Sequence, residues 1–148
     1  MDYTFLVKDF EALTTRELYD IMHLRQEVFV VEQDCPYLDA DYKDVKGKHV
    51  YAYGDDKLLG YARLLYPGVS YKEASIGRVV TAPSVRRKGV GRPLMQKCIE
   101  VLEQELNTRA CRISAQTYLV PFYSEYGFEI CSKEYLEDGL PHFEMLRS

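Results

Sequence analysis

Pro83-Ser-Val-Arg-Arg-Lys-Gly-Val-Gly-Arg-Pro-Leu-Met95 is the stretch on which the reading of this chain turns. It follows a β-rich run, Ala74 to Thr81, and leads into a segment from Gly91 to about Leu106. There Leu94, Met95, Cys98, Leu102 and Leu106 fall on one face at helical spacing. The stretch is therefore a strand-to-helix connection with Gly89 and Gly91 at the helix entrance. Pro93 fits that helix because it sits in the first turn, where its missing N–H has no intrahelical partner to lose. Glycines let backbone approach a ligand closely, and the free N–H groups of a helix N-terminus favour phosphate. Arg86, Arg87, Lys88 and Arg92 put four cations into seven residues. Removing them from a net charge of −4 leaves −8 on the rest of the chain, so the loop is a focused basic patch on an acidic protein. A polyanionic small ligand fits it better than a nucleic-acid duplex. The loop is neither a Walker A, which needs G-x-x-x-x-G-K-[ST], nor a dinucleotide fingerprint, since the third glycine is missing.

Outward from the loop, no repeat, low-complexity tract or Gly/Ser linker divides the 148 residues, and one domain over 1–148 is expected. Tyr3 to Phe10 reads as a strand. Thr14-x-x-Glu17 is a capping-box signature opening a helix to about Val31. Leu18, Ile21, Met22, Val28 and Phe29 form its apolar stripe, and Arg25 falls on that stripe, where a guanidinium needs a carboxylate or an opening to water. Glu32 to Gly47 is a long polar loop, a length that usually signals function or mobility. His49 to Tyr53 and Leu58 to Tyr66 flank a hairpin turn at Gly54-Asp55-Asp56-Lys57. Cys111 to Gln116 reads as a strand and Val120 to Tyr126 as a short helix closed by Gly127. Glu129 to Tyr135 and His142 to Leu146 form a closing hairpin about Asp138-Gly139. The order βα, three strands, then αβαββ predicts an α/β fold, a mixed sheet flanked by helices.

Composition narrows the function. Nineteen Lys and Arg against 23 Asp and Glu argue against a general nucleic-acid binder. No secretory signal and no apolar run of spanning length are visible, so no membrane association and a cytoplasmic location are expected. Cys35, Cys98, Cys111 and Cys131 are scattered, and with the three histidines they show no zinc-ligand spacing, so no metal is expected.

Two motifs carry a family resemblance. Arg86-x-x-Gly89-x-Gly91, between strand and helix, resembles the coenzyme A pyrophosphate loop of the GCN5-related N-acetyltransferase (GNAT) family. Tyr123-Ser-Glu-Tyr-Gly127-Phe128 is similar to that family's second signature. The resemblance covers nearly the whole chain and implies the family's acyl-CoA N-acyltransferase fold, with a six- to seven-stranded mixed sheet and about four helices. A narrower likeness, to the ElaA-like branch, rests on Leu24 to Gln33, Cys35-Pro36-Tyr37-x-Asp39-x-Asp41, Tyr61 to Leu64, Ile76 to Val79, Ala115-Gln116 and Asp138-Gly-x-Pro-His142. It brings no substrate with it.

The resemblance implies transfer of an acetyl group from acetyl-CoA to a primary amine, on a small molecule or a peptide, by a monomer or homodimer. Val79, Val80 and Thr81, on the central strand, and Arg86, Arg87, Lys88, Gly89, Val90, Gly91 and Arg92, in the loop, become the expected coenzyme A contacts. A backbone N–H of Val79 to Thr81 is the oxyanion donor; the family usually has an aliphatic residue at the Thr81 position. Tyr123 is the expected acid, since a phenol near pKa 10 protonates a departing thiolate. The acceptor pocket is expected to draw on Arg25, Glu32, Asp39, Asp41, His49, Arg78, Gln116 and His142. Glu32, Asp39 and Asp41 are the candidate bases, and Arg25 is expected to pair with Asp41 or Asp39. Two other readings stay open. Arg25-x-x-Val-Phe29, Asp39-x-Asp41 and Ala62-Arg-Leu-Leu65 also resemble acyl-homoserine-lactone synthases, and a coenzyme-A-binding module without turnover would keep the glycines but need no acid.

Overall fold

The computed structural model describes residues 2–148; Met1 lies outside them. Strand β1 (Thr4–Asp9) leads through a short turn into helix α1 (Thr15–Arg25). The capping box forms as the sequence requires: the Glu17 N–H donates to the Thr14 hydroxyl at 3.0 Å, and the Thr14 N–H donates to the Glu17 carboxylate at 2.9 Å. Beyond Arg25 the helix continues to Glu32 but changes winding. Gln26–Glu32 is a π-helix, and the N–H groups of Gln33 and Cys35 reach back five residues to the carbonyls of Val28 and Val30.

Strands β2 (Gly47–Gly54) and β3 (Lys57–Leu65) form a tight hairpin, with Asp55 and Asp56 both at positive φ, as a two-residue primed turn requires. Strand β4 (Ser75–Thr81) completes an antiparallel sheet in the order β1-β2-β3-β4. Helix α2 (Gly91–Gln104) and strand β5 (Cys111–Gln116) follow, then the one-turn helix α3 (Val120–Ser124), ended by Gly127 at φ +91°. The expected single run from Glu129 to Tyr135 divides into β6 (Glu129–Ile130) and β7 (Tyr135–Glu137), both paired to β8 (Leu140–Arg147). These strands and β5 make a second antiparallel sheet.

The two sheets meet at one parallel bridge, Ala74 with Cys111, where the Arg112 N–H donates to the Ala74 carbonyl at 2.8 Å. That junction gives the sheet its mixed character. Beyond it β4 and β5 run the same way without further pairing, and a cleft opens between them. Leu94, Met95, Cys98 and Leu102 of α2 pack on Val50, Leu64, Ile113 and Met145 and bind both sheets into one core. Each large apolar side chain so buried contributes roughly 1.5–3 kcal/mol. Ile21, Leu24 and Val28 cover the other face, with Tyr51 and Tyr61. Gly60 lets α2 come close, since a Cβ there would lie 3.4 Å from the Val90 side chain. Among the described residues no helix is long and apolar enough to cross a membrane.

Candidate active site

The cleft between β4 and β5 has a volume of about 270 Å³. On the β4 side its wall is irregular. Tyr61 of β3 pairs with Val80 and Arg63 pairs with Gly77, so Arg78 and Val79 both stand opposite Ala62. This is a β-bulge, with Arg78 at φ +52°, a conformation that costs a non-glycine residue energy and gathers at functional sites. It withdraws the main chain of Arg78 and Val79 from the ladder with β3 at the place where both line the cleft. The facing wall carries Gln116 from β5, His142 from β8 and Tyr123 from α3. The Tyr123 ring is packed edge-on against Phe122 and Phe128. Burial, with a contribution from Cys98, pushes its phenol above the ordinary range, so the hydroxyl holds its proton at neutral pH.

In the wall of the cleft and behind it, three arginines and three aspartates neutralise one another. Arg25 is fully buried; its Nε donates to Asp39 Oδ2 and its Nη1 to Asp44 Oδ1, both at 2.7 Å, and Nη2 donates to the Asp39 carbonyl at 3.0 Å. Arg63 donates to both oxygens of Asp41, at 2.8 and 3.0 Å, and to Asp44 at 2.9 Å. Arg78 Nε lies 2.8 Å from Asp39 Oδ1 as a charge contact without hydrogen-bond alignment, and Nη2 donates to the Asp39 carbonyl at 3.1 Å. Burial raises the Asp41 pKa, but the Arg63 hydrogen bonds and charge, then Lys43 N–H and Arg78, outweigh it and bring it to about 2. Of the two expected partners of Arg25, Asp39 is the one that holds it; Asp44 is the second, because Arg63 takes up both oxygens of Asp41.

The glycine loop lies beyond the C-terminal end of β4. Gly89 has φ +81°, and a Cβ at either Gly89 or Gly91 would meet nothing within 4 Å. Among the described residues no side chain caps the N-terminus of α2. The N–H groups of its first turn thus have no side-chain cap, and Arg86, Arg87, Lys88 and Arg92 beside them are exposed. Arg86 is held by Glu32 across the loop at 2.9 Å, and Arg92 by Glu125 at 2.6 Å.

The structure therefore sorts the sequence-predicted residues. Arg78, Val79, Asp41, Gln116, Tyr123 and His142 share the cleft. Val80, Thr81 and the loop from Arg86 to Arg92 lie outside the lining, at the end of β4 and between it and α2. Arg25 and Asp39 lie behind it in the ion-pair network. Glu32 is half-exposed against Arg86, away from the lining. His49 is also outside the lining: its Nε2 donates to the Asp44 carbonyl at 2.9 Å, and the Tyr61 hydroxyl donates to its Nδ1 at 2.7 Å. Burial pushes the His49 pKa below the usual imidazole value. Asp44, Arg63 and Glu137 were missed. An arginine inside the apolar run Leu58 to Tyr66 is as anomalous as Arg25 on its helix stripe, and that signal finds Arg63. Among the described residues no group of three or more His, Cys, Asp or Glu is placed to hold a metal ion.

Residues 21–148 match the family model of the acetyltransferase (GNAT) domain. A UPF0039 protein of Schizosaccharomyces pombe is 43% identical over 143 residues, covering 95% of this chain and 94% of its own. The protein ElaA of Escherichia coli is 37% identical over 137 residues, 91% of this chain and 90% of its own. The crystal structure of E. coli ElaA covers 99% of this chain and 100% of its own with a TM-score of 0.93 at 34% identity. A crystal structure of an acyl-CoA N-acyltransferase from Pseudomonas aeruginosa covers 99% and 100% with a TM-score of 0.95 at 38% identity.

Proposed function

The chain belongs to the GNAT acetyltransferase family, in its ElaA-like branch, and from that membership we propose that it moves the acetyl group of acetyl-CoA to a primary amine by direct attack on the thioester. The observation that carries the reading is the cleft between the unpaired ends of β4 and β5, with the bulged main chain of Arg78 and Val79 on one wall and the buried Tyr123 on the other. The uncapped α2 N-terminus, the open space over Gly89 and Gly91 and the cations Arg86, Arg87, Lys88 and Arg92 fit a pyrophosphate. Acetyl-CoA supplies the activated acyl group.

The chain's own residues then divide the work. A main-chain N–H of Val79 to Thr81 donates to the oxygen of the carbonyl as charge develops on it. Tyr123 donates its proton to the sulfur as the C–S bond breaks; burial keeps its phenol protonated beforehand. The network of Arg25, Arg63 and Arg78 with Asp39, Asp41 and Asp44 pins the loop after the π-helix over the acceptor end. A single domain acting in the cytoplasm, on a small-molecule amine or a peptide amino group, suits this reading.

The test is Tyr123→Phe, assayed by free thiol release from acetyl-CoA with a panel of tyramine, spermidine, L-lysine and a tripeptide. The ring stays, so Phe122 and Phe128 keep their partner. The expected result is a fall in kcat of ~10²–10⁴-fold with acetyl-CoA affinity and melting temperature nearly unchanged. Turnover within a few fold of the parent would assign the acid role elsewhere.

A further inference from the structure

We infer that His142 is the general base that deprotonates the acceptor amine, with Glu137 holding the ammonium ion beside it. This rests on the acetyl-transfer reading above and names a catalytic group for that same cleft.

An amine at neutral pH arrives protonated, and its nitrogen attacks only after losing that proton. The acids expected to take it are otherwise engaged. Asp39 is 4% exposed, with Oδ2 on Arg25 and Oδ1 accepting from the Tyr37 hydroxyl at 2.9 Å. Asp41 has both oxygens on Arg63 and is held near pKa 2, which makes it a weak base. Glu32 faces Arg86 outside the cleft. Both nitrogens of His49 are bonded, away from the cleft.

His142 differs on each count. It is 6% exposed and lines the cleft with Tyr123, Val79 and Gln116. Its Nδ1 lies 2.8 Å from the Leu140 carbonyl, which only accepts, so Nδ1 carries the proton. In the neutral ring the lone pair is therefore on Nε2. Among the described residues the charged partner of Nε2 is Glu137 Oε2, at 3.5 Å, too long for an ordinary hydrogen bond. Glu137 is itself half-exposed and steadied by the Ser114 hydroxyl at 3.1 Å. The Tyr135 ring stacks on the imidazole at 6.1 Å and fixes its plane. The titratable and charged groups around the ring are Tyr135 and Glu137 on β7, Asp138 in the turn and Glu144 on β8, with Tyr123 on the same wall and Asp41, Lys43, Arg63 and Arg78 across the cleft.

The step balances. Nε2 takes one proton from the ammonium and becomes imidazolium opposite the Glu137 carboxylate. The freed nitrogen pair forms the C–N bond to the acyl carbon, and the C–S pair leaves with sulfur, which takes the Tyr123 proton. The second nitrogen proton returns to Tyr123 as the amide forms, and the imidazolium releases its proton to water.

The experiment has two arms. In the parent protein, long-range ¹H–¹⁵N correlation spectra of the histidine rings above neutral pH should show His142 in the Nδ1–H tautomer. The Nε2–H tautomer would overturn the proposal without any acceptor being needed. In the second arm, His142→Asn is assayed with acetyl-CoA and the best amine of the panel. Asparagine can still donate to the Leu140 carbonyl, but it has no base. kcat/KM should fall ~10²–10⁴-fold, and its rise with pH should continue toward the amine's own pKa, about 10 for an alkyl amine, while coenzyme A affinity holds. Glu137→Gln should raise KM for the amine more than it lowers kcat. A His142→Asn variant with the parental rate and pH profile, or a Glu137→Gln variant that alone loses the low-pH limb, would overturn the assignment. A parent protein inert toward every amine would instead sink the acetyl-transfer reading.

Discussion

At the scale of single residues, the chain places charge where apolar contact is the rule. Arg25 is fully buried and Arg63 is 4% exposed, each held by carboxylates. Such a network is costly to assemble and more costly to break, because removing one partner leaves uncompensated charge in the interior. Arg25→Met should therefore lower unfolding stability by about 3–5 kcal/mol in urea titration and depress acceptor turnover, with coenzyme A binding nearly normal. Arg25→Lys should not rescue it, since an ammonium cannot serve Asp39 and Asp44 in the same fork. The network also contributes to stability against acid. The Asp41 pKa is lowered to about 2 in the fold, against about 3.9 in the unfolded chain, so its contribution is fully present above pH ~4 and is lost as pH falls toward 2. Melting temperature should drop across that window in the parent and less steeply in Asp41→Asn. The sequence exposed Arg25 through its place on an apolar stripe. It could not name Asp44 as partner, because the choice among Asp39, Asp41 and Asp44 depends on how the loop turns back, with Tyr42 at φ +65°.

At the scale of elements, periodicity and punctuation foretold most of the structure. The capping box at Thr14, the Asp55-Asp56 turn and the stop at Gly127 are local signals that local geometry obeys. What stayed hidden is whatever depends on hydrogen-bond register. The π-helical turn from Gln26 to Glu32 keeps the side-chain pattern of a helix, and the bulge at Arg78 keeps the pattern of a strand. The absence of pairing between β4 and β5 beyond Ala74 and Cys111 likewise leaves no mark on either strand's own sequence. The strand-to-helix connection at Gly89 and Gly91 was legible because it depends on residue types rather than register. Gly91 gives its cleanest test: a Cβ there meets nothing, and its φ is not in the left-handed region, whereas Gly89 at φ +81° would be strained by any substitution. Gly91→Glu should leave the melting temperature close to parental and abolish coenzyme A binding in calorimetry, by filling the approach to the α2 N-terminus with a negative charge. Unchanged affinity would remove the loop from the ligand site.

At the scale of the whole molecule, the fold amounts to two antiparallel sheets pinned at one point and held by α2, so that the gap between them is a site built from both halves of the chain. The chain before the glycine loop supplies the bulged strand and the ion-pair network, and the chain after it supplies Tyr123, Gln116 and His142. Whether this gap carries acetyl groups to amines, as proposed, is decided by product stoichiometry: incubate the protein with acetyl-CoA and the amine panel, then quantify free thiol and N-acetylated amine together by mass spectrometry. One N-acetylated product is expected for each thiol released, with neither formed without the protein. Tight coenzyme A binding with no acetylated amine, or thiol release unmatched by N-acetyl product, would contradict acetyl transfer.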